Sequence, residues 1–134
     1  MECCFPWLSL FDVEGEPRRD RALALKERAK PSPERRLLCA ECGHMITRPE
    51  EAVAVNGAHE HVFTNPVGLR FHIGCFRTAP GCSDVGELTL EHTWFPGHRW
   101  CIALCAQCRA HLGWRFEGET AFYGLVLVRL RAAP

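Results

Sequence analysis

The sequence contains no apolar run long enough to cross a lipid bilayer, which takes about 18 consecutive residues. It also carries no net charge, because 16 Lys and Arg residues balance 16 Asp and Glu residues. Nucleic-acid-binding domains usually present a strongly basic surface, and this charge balance does not suggest one. We therefore expect neither a membrane nor a nucleic acid among the partners of this protein.

The first residues lack the basic segment with which a secretory signal begins. Glu2 is acidic, and Pro6 interrupts the apolar stretch that follows. The nine cysteines are an odd number, which also argues against a secreted disulfide framework. These features together predict a cytoplasmic protein, where paired cysteines more often bind a metal than form disulfides.

The chain of 134 residues is long enough for one domain and too short for two ordinary ones. Residues 1–36 are dense in charge and proline, and we interpret them as an N-terminal extension that is partly helical or flexible. Pro17–Lys30 is its candidate helix, because Pro17 stands near the start and Pro31 would end it. Residues 37–134 are predicted to form the domain.

Beyond Leu37 the pattern is that of short strands and turns. Asn56-Gly57 is a strong signal for a tight turn, and Val53–Val55 before it is a candidate strand. Apolar residues alternate from Leu69 to Ile73 and again from Trp100 to Leu104, as in half-buried strands. Leu125–Leu130 is predicted to be the last strand. The domain is therefore expected to be mainly β.

Two pairs of cysteines, Cys39–Cys42 and Cys105–Cys108, share the spacing Cys-x-x-Cys. Two intervening residues let both thiolates of a pair reach one ion from a tight turn, and Gly43 suits such a turn because it tolerates positive φ. Four thiolates fit tetrahedral zinc and leave no open coordination position. We therefore predict one structural Zn²⁺ ion that joins the two ends of the domain.

The alternative is a redox-active pair of the thioredoxin type. That motif opens a helix after a strand in a βαβ unit, and the sequence shows no such unit. His44, next to the first pair, is an alternative metal ligand. Among the remaining cysteines, Cys75 and Cys101 lie in apolar strand patterns and are predicted to be buried, whereas Cys82 lies in a turn-like stretch and is predicted to be exposed.

Trp94, Trp100 and Trp114 flank the second cysteine pair. They either belong to the core, as large aromatic side chains in a small domain often do, or line a pocket. A pocket closed by acidic residues would select a cation, and one closed by backbone groups would select a neutral amide or imide. Glu91 is the one acidic residue nearby, so the composition leaves this choice open.

The cysteine pairs, the segment Glu91–Gly97, Trp100 and the segment His111–Trp114 together resemble the CULT domain, the thalidomide-binding domain of cereblon-like proteins. The resemblance covers about residues 37–131. It implies a β-tent fold, in which two antiparallel sheets meet at a steep angle with one Cys4 zinc near their junction. No Lon-like domain precedes this region, so the chain resembles a single-domain homologue of the bacterial type, and we do not transfer a ubiquitin-ligase role.

The resemblance also implies a ligand: a cage of three tryptophans that holds the glutarimide ring of thalidomide-type compounds. By the same resemblance, uracil-like rings and C-terminal cyclic imides on proteins are further candidates. The main-chain carbonyl of His92 would accept a hydrogen bond from the imide N–H, and the main-chain N–H of Trp94 would donate to an imide carbonyl. The side chain of His92 would bond the other carbonyl. The implied ligand-binding residues are Asn65, His92, Trp94, Trp100, Trp114 and Phe116.

The sequence therefore favours a non-enzymatic small-molecule binding module. A protein-interaction module of the zinc β-tent type is an alternative that differs in the size of its ligand. An enzyme similar to methionine sulfoxide reductase B would need a nucleophilic cysteine in a late strand, and no cysteine follows Cys108. A hydrolase would need an activated nucleophile, and beyond His92 and Glu91 the sequence offers no partnered base.

Overall fold

The computed structural model of this protein describes residues 35–134. The candidate helix Pro17–Lys30 and most of the predicted extension lie outside the described residues. The described residues form nine strands, and none of them belongs to a helix long and apolar enough to span a membrane. The strands are β1 (Leu37–Cys39), β2 (Met45–Thr47), β3 (Glu60–Thr64), β4 (Arg70–Phe76), β5 (Cys82–Thr89), β6 (Arg99–Cys105), β7 (His111–Glu117), β8 (Ala121–Val126) and β9 (Leu130–Ala132).

These strands form two antiparallel sheets, which confirms the prediction of a mainly β domain. The smaller sheet has the order β2-β1-β9, and the larger has the order β3-β4-β8-β7-β6-β5. Asn56 and Gly57 both have positive φ, as the predicted tight turn requires. The alternating segments around Phe71 and Trp100 lie in β4 and β6, as predicted.

Three local predictions are wrong. Val53–Val55 forms no strand, because the tight turn is closed by one isolated bridge between Val55 and Ala58. Leu125–Leu130 is not one strand: β8 ends at Val126, a 3-10 helix follows over Leu127–Arg129, and β9 joins the other sheet. Cys82 is not in an exposed turn, since it begins β5 opposite Cys105 and is half-buried.

Two apolar clusters divide the interior. The first joins the sheets, with Leu37 and Ile46 of the small sheet against Phe76 and Leu125 of the large one. The second lies on the opposite face of the large sheet and includes Cys75 together with several aromatic side chains that carry the site described below. As predicted, Cys75 and Cys101 are buried, at 0% and 5% exposure.

The strands β7 and β8 approach each other closely at Gly113, which is opposite Leu125. A methyl group at Gly113 would collide with the carbonyl oxygen of Gly124 and would lie 2.8 Å from the Cα of Leu125. Both neighbours are backbone atoms, so the contact cannot be relieved by rotating a side chain. The close approach therefore requires glycine immediately before Trp114.

We expect Gly113→Ala to lower the free energy of unfolding by about 3 kcal/mol, because the added methyl group overpacks two strands. Gly57→Ala is the matched control: nothing lies within 4 Å of its added methyl group, and only the φ of 86° is unfavourable. It should cost about 1 kcal/mol. Urea denaturation measures both values, and equal costs would contradict the tight crossing.

Candidate metal centre and aromatic cavity

The sulfur atoms of the two cysteine pairs come together in one cluster. All four lie within 4.8 Å of one another, with Cys39 Sγ 3.7 Å from Cys108 Sγ and Cys42 Sγ 3.6 Å from Cys105 Sγ. A disulfide would require about 2.05 Å. Sulfurs bound to a tetrahedral ion at about 2.3 Å lie about 3.8 Å apart, so the observed spacing fits four-coordinate metal binding.

The two knuckles, each formed by one cysteine pair and its turn, share one backbone geometry. Gly43 N–H donates to the Cys39 carbonyl at 2.8 Å, and Arg109 N–H donates to the Cys105 carbonyl at 2.9 Å. The two donors occupy the same position after the first cysteine of each pair, and their φ values are 81° and 68°. Gly43 therefore has the predicted role, while Arg109 fills the equivalent position despite its side chain.

The cluster connects the two sheets, because Cys39 ends β1 of the small sheet and Cys105 ends β6 of the large one. Cys105 Sγ also accepts hydrogen bonds from the N–H groups of Gln107 and Cys108, both at 3.4 Å. Such bonds stabilise a thiolate. In the described range, residues 35–134, the metal-binding group consists of the four cysteines without His44.

A second feature lies on the face of the large sheet that carries the aromatic cluster. It is a cavity of about 460 Å³, a volume within the usual range for small-molecule sites. The cavity brings together all six residues that the resemblance implies as ligand-binding, and five others that sequence reasoning missed. Its lining residues are Asn65, Pro66, Leu69, Phe71, His92, Trp94, Trp100, His111, Trp114, Phe116 and Arg129.

The β5–β6 loop that carries Trp94 is held in place by Phe95. This side chain is 1% exposed and packs edge to face on Phe116 and Phe122, with ring centroids 4.8 and 5.0 Å away. His98 N–H donates to the Phe95 carbonyl at 2.9 Å and closes the turn after it. Burying a Phe side chain contributes about 1.5–3 kcal/mol, so Phe95 fixes the loop by burial.

Trp94 and Trp114 form adjoining walls of the cavity. Their ring centroids lie 4.8 Å apart at an interplanar angle of 71°. Phe71 adds a third aromatic surface, edge to face with Trp114 at 5.1 Å. Trp100 stands on β6 beside Phe116 of β7, and its Nε1–H donates to the Glu91 carbonyl at 2.7 Å. The indoles are thus half-buried side chains around a cavity and not a closed core.

The backbone of the β5–β6 loop has polar groups at residues that line the cavity. His92 has φ 57°, a left-handed conformation that few residues with a side chain adopt. Within the part of the chain that the structure describes, no hydrogen bond uses the His92 carbonyl or the Trp94 N–H. The loop therefore offers one acceptor and one donor at residues that line the cavity.

Asn65 lies at the edge of the cavity with its side chain engaged in a turn. Its Oδ1 accepts from the N–H groups of Val67 and Leu69 at 3.1 and 2.8 Å. The side chain therefore stabilises the β3–β4 turn, which places Leu69 and Phe71 against the cavity. The sequence pattern did not identify these two apolar residues as part of a cavity.

No acidic side chain lines the cavity among the described residues. The Glu91 side chain is 74% exposed, and its carboxylate lies 3.9 Å from His92 Nε2. Arg129 contributes a positive charge instead. Burial lowers the pKa of His111, and the Arg129 charge adds a smaller effect in the same direction. The lining therefore favours neutral or negatively charged ligands over cations.

No protein-family model matches the chain. Curated relatives, however, include cereblon from several vertebrates. The chain is 35% identical to protein cereblon of Danio rerio over 55 residues, 39% identical to that of Xenopus tropicalis over 54 residues, and 52% identical to that of Gallus gallus over 54 residues. These matches confirm the resemblance to cereblon, on which the expectation of a CULT-like domain rests.

The similarity is limited to part of each protein. The matched regions cover 41% of this chain for the Danio protein and 40% for the Xenopus and Gallus proteins. They correspond to 13% of the Danio relative and 12% of the other two. The chain therefore spans only a small part of the length of the curated relatives that it matches.

We expect the purified chain to bind one metal ion through the four-cysteine cluster. Cys108→Ser should abolish stoichiometric binding, because it removes one of the four thiolates. Cys82→Ser is the matched control, since Cys82 is opposite Cys105 in the sheet but lies outside the cluster. Elemental mass spectrometry measures the metal content of each variant. Loss of metal in both variants would contradict the assignment of ligands.

Proposed function

We propose that this chain is a non-enzymatic binding module for cyclic imides of the glutarimide type, stabilised by one structural zinc ion. The observation that carries the proposal is the combination, around one cavity, of three tryptophans with the main-chain carbonyl of His92 and the main-chain N–H of Trp94, which have no hydrogen-bond partner within residues 35–134. Uracil-like rings and C-terminal cyclic imides on proteins present the same polar edge and belong to the same proposed ligand class.

The chemistry of a glutarimide matches these groups. One edge of the ring presents an acceptor, a donor and an acceptor, and the remaining atoms are apolar methylenes. The indoles of Trp94, Trp100 and Trp114 would cover the methylenes. The His92 carbonyl would accept from the imide N–H, while the Trp94 N–H and the His92 side chain would donate to the two carbonyls. Leaving one of these polar groups buried without a partner would cost about 1–3 kcal/mol.

Zinc is the metal that best suits the cluster. Four thiolates are soft ligands, and a tetrahedral set of sulfurs is typical of zinc or of iron–sulfur sites. Two Cys-x-x-Cys pairs closing one four-sulfur site are common for structural zinc. Because protein atoms fill all four positions, the ion would support the fold and would activate no water. Residues Cys39, Cys42, Cys105 and Cys108 would hold it.

The enzyme alternative finds little support in the thiols outside the cluster that the structure describes, those of Cys75, Cys82 and Cys101. Burial raises the pKa of Cys75 and of Cys82 to about 12, so neither thiol is a ready nucleophile at neutral pH. Burial also raises the pKa of Cys101. Like the absence of any cysteine after Cys108, these values disfavour a reductase mechanism. We propose a cytoplasmic location, where the cysteine pairs would stay reduced.

A protein carrying a cyclic imide at its C-terminus is a specific form of the proposed ligand. Two apolar side chains at the edge of the cavity are exposed to solvent. Val67, in the β3–β4 turn, is 79% exposed, and Leu69, just after it, is 57% exposed. Apolar side chains in this position would contact whatever extends from a bound imide. A protein-interaction role is therefore compatible with the same cavity, and it differs from a free small molecule only in what is attached to the ring.

We expect Trp100→Ala to reduce glutarimide affinity at least tenfold while the metal content stays unchanged, because one cage wall is lost and the four cysteines are untouched. Quenching of tryptophan fluorescence on titration with thalidomide measures the affinity. Tyr123→Phe is the control, since Tyr123 lies on the opposite face of the large sheet and bonds Asp84.

The ligand itself supplies a second control. An N-methylated glutarimide keeps the apolar ring but cannot donate to the His92 carbonyl, so it should bind at least tenfold more weakly. Unchanged affinity of the Trp100→Ala variant, or equal binding of the N-methylated ring, would contradict the proposed cage.

A further inference from the structure

One arginine side chain, that of Arg129, lines the cavity. Arg77, Arg99 and Arg115 each pair with a carboxylate, whereas no carboxylate among the described residues pairs with Arg129. Arg129 is half-buried and borders the aromatic cavity as well as a second cavity beside the cysteine cluster. Its guanidinium therefore has hydrogen-bond capacity that residues 35–134 do not use.

The position of Arg129 is fixed from two sides. Its Nη1–H donates to the His111 carbonyl at 2.7 Å, and its guanidinium carbon lies 5.8 Å from the centre of the Phe71 ring. Its own backbone carbonyl accepts from Ala40 N–H, inside the first knuckle, at 3.0 Å. One of the five guanidinium N–H donors is bonded to another described residue, which orients the group and leaves further donors available to a ligand.

The cavity also exceeds what one six-membered ring requires. A volume of about 460 Å³ is typical of sites for molecules considerably larger than a glutarimide. If the polar edge of the ring meets His92 and Trp94, the cavity still has room for a substituent. The charged group that lines the cavity is Arg129, and no acidic side chain of the described residues lines it.

We propose that Arg129 is a specificity-determining residue, and that the preferred ligands are imide or uracil-like rings that carry a carboxylate or a phosphate. This inference rests on the proposed function, since it concerns the substituent on the same ring. Arginine donates two parallel hydrogen bonds to either anion, and hydrogen bonds to charged groups are about twice as strong as neutral ones. Neutral rings would bind without this contribution.

Two pairs of ligands test the inference on the full chain with its metal bound. The first is 3-aminoglutarimide acylated with succinate, compared with its methyl ester, and the second is uridine 5′-monophosphate compared with uridine. We expect each anionic ligand to bind the wild-type chain about tenfold more tightly than its neutral partner. This preference should decrease at high salt. The two pairs distinguish a carboxylate from a phosphate.

Arg129→Gln should remove the preference for the anion, measured as the ratio between the affinities of each anionic ligand and its neutral partner, because a neutral amide cannot donate two charged hydrogen bonds to a carboxylate or phosphate. Arg70→Gln is the matched control: Arg70 is exposed on β4, and its side chain faces away from the cavity next to Phe71. Isothermal titration calorimetry of the three chains gives the affinities.

The outcomes separate this inference from the proposed function. Neutral imides that bind as tightly as anionic ones, or a preference that survives in Arg129→Gln, would overturn the role of Arg129 and leave the imide site intact. A loss of preference in Arg70→Gln equal to that in Arg129→Gln would also overturn it. If none of the four ligands binds, both proposals are wrong.

Discussion

The meeting of four cysteine sulfurs is the constraint on which the rest of the domain depends. The cluster lies where β1 of the small sheet and β6 of the large sheet both end, so an ion held there fixes the position of one sheet relative to the other. The small sheet has only three short strands, and a sheet of this size depends on burying a hydrophobic face. Metal binding at the cluster would therefore reinforce the packing of Leu37 and Phe76 in the same apolar cluster.

The same cluster also positions the cavity. β6 carries Trp100 toward the second knuckle, and β7 carries Trp114 away from it. The first knuckle reaches the cavity by another path, because Ala40 N–H donates to the carbonyl of Arg129. An ion bound at the cluster would thus help to fix the cavity, since Trp100 and Trp114 flank the second knuckle and the carbonyl of Arg129 is bonded to the first.

The features that the sequence predicted well are those encoded by local spacing. Two Cys-x-x-Cys pairs identified the cluster because the spacing within a pair dictates its geometry, and the Asn56-Gly57 turn follows from backbone conformation alone. The three tryptophans were identifiable as a group, although periodicity could not separate a core from a cavity. The structure adds the reason: Phe95 takes the buried position, which leaves Trp94 half-buried beside it.

Features that depend on distant contacts could not be predicted in this way. The apolar run after Leu125 has the pattern of one strand, but its residues serve two sheets, so the chain must turn at Leu127–Arg129. Arg129 lines the cavity because that turn places it there. Phe71 lines the cavity because of the register in which β4 pairs with its neighbours. Cys82 likewise follows a turn signal, yet pairing with Cys105 places it in a strand.

The cavity is assembled from residues that lie far apart in the chain, from Asn65 in the β3–β4 turn to Arg129 before β9. The lining residues come together only when the strands of the large sheet pair, so the unfolded chain does not present the assembled cavity. Any compound that occupies the cavity therefore stabilises the folded state by mass action, about 2.7 kcal/mol at a hundredfold excess over its dissociation constant. A bound ligand would thus contact residues near Asn65 and near Arg129 at the same time, and unfolding would require its release.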